Sequence, residues 1–142
     1  MNVALLLDTH AWIWSVEGAD DRIGPRSRRL LARAESRRDI WISPATIFEI
    51  VALQTSARLS LSRPVEQWLR DALDSSGGRV AELTPAVAVD AGQIPRSALA
   101  DPLDRVLAAT ARQLDAVFLT ADARLLEYAA ATASLRVHDA RQ

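Results

Sequence analysis

The strongest constraint on the fold is a series of very short apolar runs separated by helix-length segments. Val3 to Leu7, Ile40 to Ile42, Arg79 to Leu83 and Val117 to Leu119 have the length and composition of strands, and Leu135 to Val137 supplies a fifth. Helix signals lie between them. Ser43-Pro44 and Asp101-Pro102 each place a capping side chain before a proline at the first helical position. After the second of these, Leu103, Val106, Leu107, Ala111 and Leu114 recur at helical spacing. Further helices are expected over 10–16, 25–35, 43–57, 85–92 and 121–128, and from Pro64 to the Ser75-Ser76-Gly77-Gly78 cluster. No linker or repeat divides the 142 residues, so residues 1–142 are expected to form one α/β domain. Strands alternating with helices imply a mostly parallel sheet with helices on both faces. Ligands of such sheets gather beyond the carboxyl ends of the strands.

Composition narrows the chemistry. There is no cysteine, which excludes disulfides and thiolate metal sites. No apolar run approaches the roughly 18–20 residues that cross a bilayer, and no secretory leader is visible, so a cytoplasmic protein without a membrane is expected. The net charge is -1, but its distribution is uneven. All 17 cations are arginines, and seven fall between Arg22 and Arg38. Two readings follow: a solvated helix face, or a basic patch in which Arg26, Arg29 and Arg33 hold a nucleic-acid backbone.

Four carboxylates stand where this layout concentrates function. Asp8 follows the first strand, Glu49 lies within the helix after the second, Asp104 is in the first turn of the strongest helix, and Asp122 follows the fourth strand. Each has a structural reading as well. Asp8 and Asp122 suit helix starts, Asp101-Pro102-Leu103-Asp104 reads as a variant capping box, and Glu49 has Arg58 and Arg105 as ion-pair partners to choose from. Glu49 is the hardest to explain structurally, because its helical neighbours Ala45, Thr46, Ala52 and Leu53 are largely apolar. Two carboxylates about 4 Å apart repel by about 4 kcal/mol at an effective dielectric near 20. A converging quartet therefore calls for protonation or a divalent cation, and oxygen-only ligands point to Mg²⁺ or Mn²⁺. Those ions suit phosphodiester hydrolysis.

These same residues carry a resemblance. Leu5-Leu6-Leu7-Asp8-Thr9-His10-Ala11-Trp12, Ser43 to Ile50, Asp101 to Ala109 and Leu119 to Leu125 resemble, in order, the four motifs of VapC-type toxins of the PIN-domain family. The resemblance covers residues 5 to 125. It implies a three-layer α/β/α fold and a Mg²⁺-dependent endoribonuclease that is the toxin of a toxin–antitoxin pair. Carried over by position, Asp8, Glu49, Asp104 and Asp122 are the catalytic metal ligands. Thr9 and Thr120 are supporting hydroxyls, and Asp101 is a fifth acid at the rim. A homodimer, an RNA substrate and a separate antitoxin are implied as partners. The chain departs from the pattern in lacking histidine across Pro95 to Ala100, and in having Gln54 and Arg58 where lysines are common.

Rival readings differ in their residue requirements. A phosphoacceptor receiver needs a lysine, and a haloacid-dehalogenase-like phosphatase needs Asp-x-Asp where Asp8-Thr9-His10 stands. An idle binding or dimerisation module and a DNA-acting PIN-like nuclease remain as alternatives. Four tryptophans add a last expectation. Trp12 and Trp14 cannot share one face of a short helix, so at least one should border a groove or contact.

Overall fold

The structure, a computed structural model, describes residues 3–19, 21–75 and 78–142. Its elements run β1 (Leu5–Leu7), α1 (Thr9–Glu17), α2 (Pro25–Ser36), β2 (Ile40–Ile42), α3 (Pro44–Thr55), α4 (Val65–Ser75), β3 (Arg79–Val80), α5 (Pro85–Gln93), α6 (Pro102–Leu114), β4 (Val117–Thr120), α7 (Ala123–Thr132) and β5 (Val137–Asp139). All five strands are parallel, in the order β3-β2-β1-β4-β5.

The leucines of β1 explain its central place. Leu5, Leu6 and Leu7 are all buried, as a parallel strand covered on both faces requires. Leu5 and Leu7 point to one layer with Ile40, Ile42 and Leu119, where α1 to α4 pack around Trp12 and Trp68. The rings of Trp12 and Trp68 meet edge to face, 5.2 Å apart. Leu6 and Phe118 point to the other layer, against Leu107, Ala108 and Ala111 of α6 and Leu125 and Tyr128 of α7. On that side Val87 and Ala91 of α5 pack against Val106 and Ala109 of α6. The result is a three-layer α/β/α arrangement.

Several boundaries differ from the sequence pattern, with β1 starting at Leu5 rather than Val3 and α7 running on to Thr132. The third strand is two residues long rather than five, because β3 is an edge that among the described residues pairs only with β2, and the chain then turns away to the Thr84 cap of α5. The fifth strand lies two residues later, at Val137–Asp139, in register with Phe118 to Thr120. The last helix starts at Ala123, because Asp122 is its cap and not its second residue. α4 is described to Ser75, and Ser76 and Gly77 of the cluster expected to end it fall outside the described residues.

This topology has a switch point. From β1 the chain adds β2 and β3 on one side, then β4 and β5 on the other. The carboxyl ends of β1 and β4 therefore open a crevice that no crossover covers.

Candidate active site

Asp8 leaves β1 at that crevice. Its N–H donates to the Leu119 carbonyl at 2.9 Å, which extends the β1–β4 ladder by one bond and fixes the backbone. One carboxylate oxygen accepts from the Thr9 N–H at 2.8 Å and caps α1. The other accepts from the Thr120 hydroxyl at 2.6 Å. That hydroxyl also accepts from the Asp122 N–H at 3.0 Å, so one side chain at the end of β4 positions two acids. Asp122 in turn caps α7 by accepting from the Arg124 N–H.

The second contribution comes from α6. Asp101 caps it, accepting from the Leu103 N–H at 2.9 Å. Asp104 does not complete a capping box. It turns inward, is only 6% exposed, and its Oδ2 is buried without a hydrogen-bond partner. Glu49 is half-buried in the middle of α3 and, among the described residues, forms no ion pair with Arg58, Arg105 or any other cation.

Asp8, Glu49, Asp101, Asp104 and Asp122 line one cavity of about 540 Å³. Burial pushes the Asp104 carboxyl up to about 7, reinforced by the charges of Asp101, Asp8 and Asp122. Burial also raises Asp8, against the hydrogen bonds from Thr120 and Thr9 that favour its charged form, with Glu49 and Asp122 adding repulsion. Among the described residues no three acids already close into a coordination cage. The acids line an open cavity instead.

The capping roles of Asp8, Asp101 and Asp122 are real and coexist with a place in the cavity, since a cap projects its second oxygen away from the helix. Thr120 uses its hydroxyl on Asp8. Thr9 does not: its N–H serves Asp8, and its own Oγ1 is buried without a partner. Trp12 is core, whereas Trp14 borders the cavity beside His10, with their ring centroids 6.0 Å apart. Arg22 lies over the Trp14 ring at 5.7 Å. Arg26, Arg29 and Arg33 are exposed on α2, and none lines the cavity. Phe48 and Arg124 are among the lining residues for which the sequence suggested no role. Phe48 stands beside Glu49 with 64% of its surface exposed, and Arg124 follows Asp122 by two positions. An apolar side chain next to a candidate ligand, and a cation next to another, were the available signals.

Residues 5–131 match the PIN domain family. Ribonuclease VapC22 of Mycobacterium tuberculosis is 31% identical over 122 residues, covering 85% of this chain and 88% of that protein. Among solved structures, VapBC-1 from nontypeable Haemophilus influenzae aligns with a TM-score of 0.64 at 17% identity, over 98% of this chain and 99% of that one. VapBC2 from Rickettsia felis, bound to a DNA fragment from its promoter, gives 0.63 at 17% identity, over 95% and 97%. The structural likenesses speak to the fold, and the two sequence matches speak to descent. Together they establish that this chain belongs to the PIN domain family, as one of its VapC-like members.

Proposed function

We propose that this protein is a Mg²⁺- or Mn²⁺-dependent endoribonuclease and the toxin of a toxin–antitoxin pair. One observation carries the reading: the buried, unpartnered Oδ2 of Asp104 in a cavity that four other acids line. A carboxylate desolvated among like charges is unstable unless it is protonated or meets a cation. The donor set fits a hard divalent ion, because the five acids that line the cavity offer only carboxylate oxygens.

Asp8, Glu49, Asp104 and Asp122 would hold the ion, which supplies a water activated near neutral pH and offsets charge on the phosphodiester oxygens. Thr120 keeps Asp8 and Asp122 in fixed relation, and the Thr9 N–H stops Asp8 from rotating. Asp101 caps α6 at the rim and thereby sets the turn that aims Asp104 inward. RNA, rather than DNA, is the substrate suggested by the likeness to Ribonuclease VapC22.

The mixed lining suits an inhibitor too. Phe48, Trp14 and Leu53 flank the acids, so an antitoxin helix with an apolar face and one basic side chain would bury the first set and neutralise the second. A homodimer is part of the same reading.

The experiment is incubation of the purified protein with total RNA and Mg²⁺, with EDTA and Asp8→Asn as controls. Metal-dependent cleavage that Asp8→Asn loses supports the nuclease. Cleavage that survives in EDTA, or in the variant at the wild-type rate, would falsify it. Co-expression with the neighbouring open reading frame tests the toxin reading separately. A product that neither co-purifies nor relieves growth arrest removes the antitoxin while leaving the nuclease.

A further inference from the structure

The acidic cavity has a neighbour. A second hollow of about 360 Å³ lies against α7, with Leu99, Glu127, Tyr128 and Thr132 in its wall. The two hollows share three side chains: Asp101, Asp104 and Arg124. Anything long enough to occupy both must cross these three. Two of them are acids that repel a polyanion, which leaves Arg124 as the attractive group on the divide.

Arg124 is the second residue of α7, and its side chain is 70% exposed. Its guanidinium folds back onto the cap of its own helix. Nε lies 3.4 Å from one oxygen of Asp122, and Nη2 lies 3.3 Å from the other. This is a fork on a carboxylate, but a loose one, since charge-assisted hydrogen bonds of this kind run about 2.7–2.9 Å. An exposed ion pair of this geometry contributes little and exchanges readily. Arg124 also feels the charges of Asp104 and Asp101, and is the cation whose field opposes the effect of burial on Asp104. It is therefore weakly held over a strongly acidic site.

We propose that Arg124 is a phosphate clamp parked on Asp122. When that carboxylate takes up a divalent cation, Arg124 releases it and turns its planar fork to a phosphate of the strand crossing between the hollows. The shape of the group supports this: a guanidinium matches a phosphate in the same bidentate way as it matches a carboxylate, so the exchange needs no new geometry. The proposal rests on the nuclease reading above and adds a substrate-positioning residue to it. It also assigns Arg124 two opposed effects, as a competitor of the metal and a holder of the substrate.

That opposition makes the test sharp. The variants are Arg124→Ala and Arg124→Lys. Both should fold, because the side chain is exposed and the cap on Asp122 uses the backbone N–H of residue 124. The first readout is calorimetric titration of metal-free protein with Mn²⁺ alone. Arg124→Ala should bind Mn²⁺ about two- to fivefold more tightly than wild type, the range expected for losing an exposed ion-pair competitor. The second is cleavage of a mixed-sequence single-stranded RNA oligonucleotide at saturating Mn²⁺. There KM should rise about tenfold or more with a smaller fall in kcat, as loss of a charge-assisted contact predicts. Arg124→Lys should stay between wild type and Arg124→Ala in KM, since an ammonium lacks the fork. Unchanged or weaker Mn²⁺ affinity in Arg124→Ala, or an unchanged KM, overturns the clamp. If wild type binds and cleaves normally, such a result leaves the nuclease reading standing. If wild type neither binds Mn²⁺ nor cleaves RNA, both readings fall.

Discussion

At its N-terminal end α6 carries Asp104, buried, with one carboxylate oxygen left unpartnered. About two turns later the same helix carries Arg112, which is half-buried. Arg112 donates through Nε and Nη2 to both oxygens of Asp90 at 3.2 and 2.7 Å, and through Nη1 to the Tyr128 hydroxyl at 2.9 Å and to Ser134. The hydrogen bonds that Arg112 donates to Asp90 hold the guanidinium's proton more firmly, whereas Asp104 is pushed toward neutrality by its surroundings. Taking either charge out of water is expensive. At one end the fold itself meets that cost with α5 and α7. At the other it supplies more acids and leaves the charge open. We propose that the charge the chain satisfies at Arg112 belongs to the scaffold, and that the one it leaves unpartnered at Asp104 serves binding.

The comparison predicts opposite phenotypes at the two ends. Asp104→Asn should reduce Mg²⁺-dependent RNA cleavage by about a hundred- to thousandfold, since a metal site is worth several kcal/mol at the transition state. Asp8→Asn should behave alike. Neither should lower the melting temperature at pH 8, because each removes one of several repelling charges. A markedly less stable Asp104→Asn would mean that the carboxylate is a structural partner after all.

Arg112→Ala should do the reverse. With the Arg112 and Asp90 side chains 18% and 26% exposed, truncation strands Asp90 and the Tyr128 hydroxyl, at a cost of about 2 kcal/mol. Thermal unfolding should move down by roughly 5–10 °C. Cleavage per folded molecule should stay at the wild-type level. Loss of cleavage without loss of stability would erase the distinction between the two ends.

A pH series sharpens the same contrast. The Asp104 carboxyl is raised from 3.8 to about 7, chiefly by burial, and Asp8 is raised in the same direction. Folded metal-free protein thus retains protons that the unfolded chain has already released. The stability this brings is fully present below the unfolded value and is lost as pH rises through about 7. In EDTA the melting temperature should fall between pH 5 and 8. Saturating Mg²⁺ should flatten that fall or reverse it, since the ion displaces the protons and binds only the folded site. A melting temperature in EDTA that does not change over this interval would contradict the assigned burial of Asp104.

Much of this was legible in the chain. Asp8 and Asp122 follow apolar runs, and Asp104 sits behind a proline-marked helix start, so local signals place all three at the carboxyl end of the sheet. Strand order was not legible. It depends on Leu5 to Leu7 meeting Val117 to Leu119, more than a hundred residues away, and no local pattern encodes that pairing. Glu49 was expected on an apolar face, yet it is only half-buried, because its neighbour Ala52 is exposed and the α3 surface opens onto the cavity. Nor could periodicity show that Thr9 would offer its backbone rather than its hydroxyl. That choice follows from the cap geometry of Asp8.

The smallest effect belongs to charges that are neither buried nor enclosed. Arg26, Arg29 and Arg33 recur at helical spacing along the exposed side of α2, while Leu30, Leu31 and Ala34 pack inward. None lines the acidic cavity, so a short oligonucleotide seated there should not reach them. Beyond roughly 8–10 Å at physiological salt their field is also largely screened. We therefore propose that they act only on longer RNA whose backbone runs off the site and over α2. Replacing all three with alanine should leave KM for a short oligonucleotide unchanged. For a long single strand the salt dependence of binding should flatten, by about 2 in log–log slope if each arginine neutralises one phosphate. An equal loss on short and long RNA would place the stripe at the site itself. An unchanged slope on long RNA would reduce these arginines to a solvated helix face.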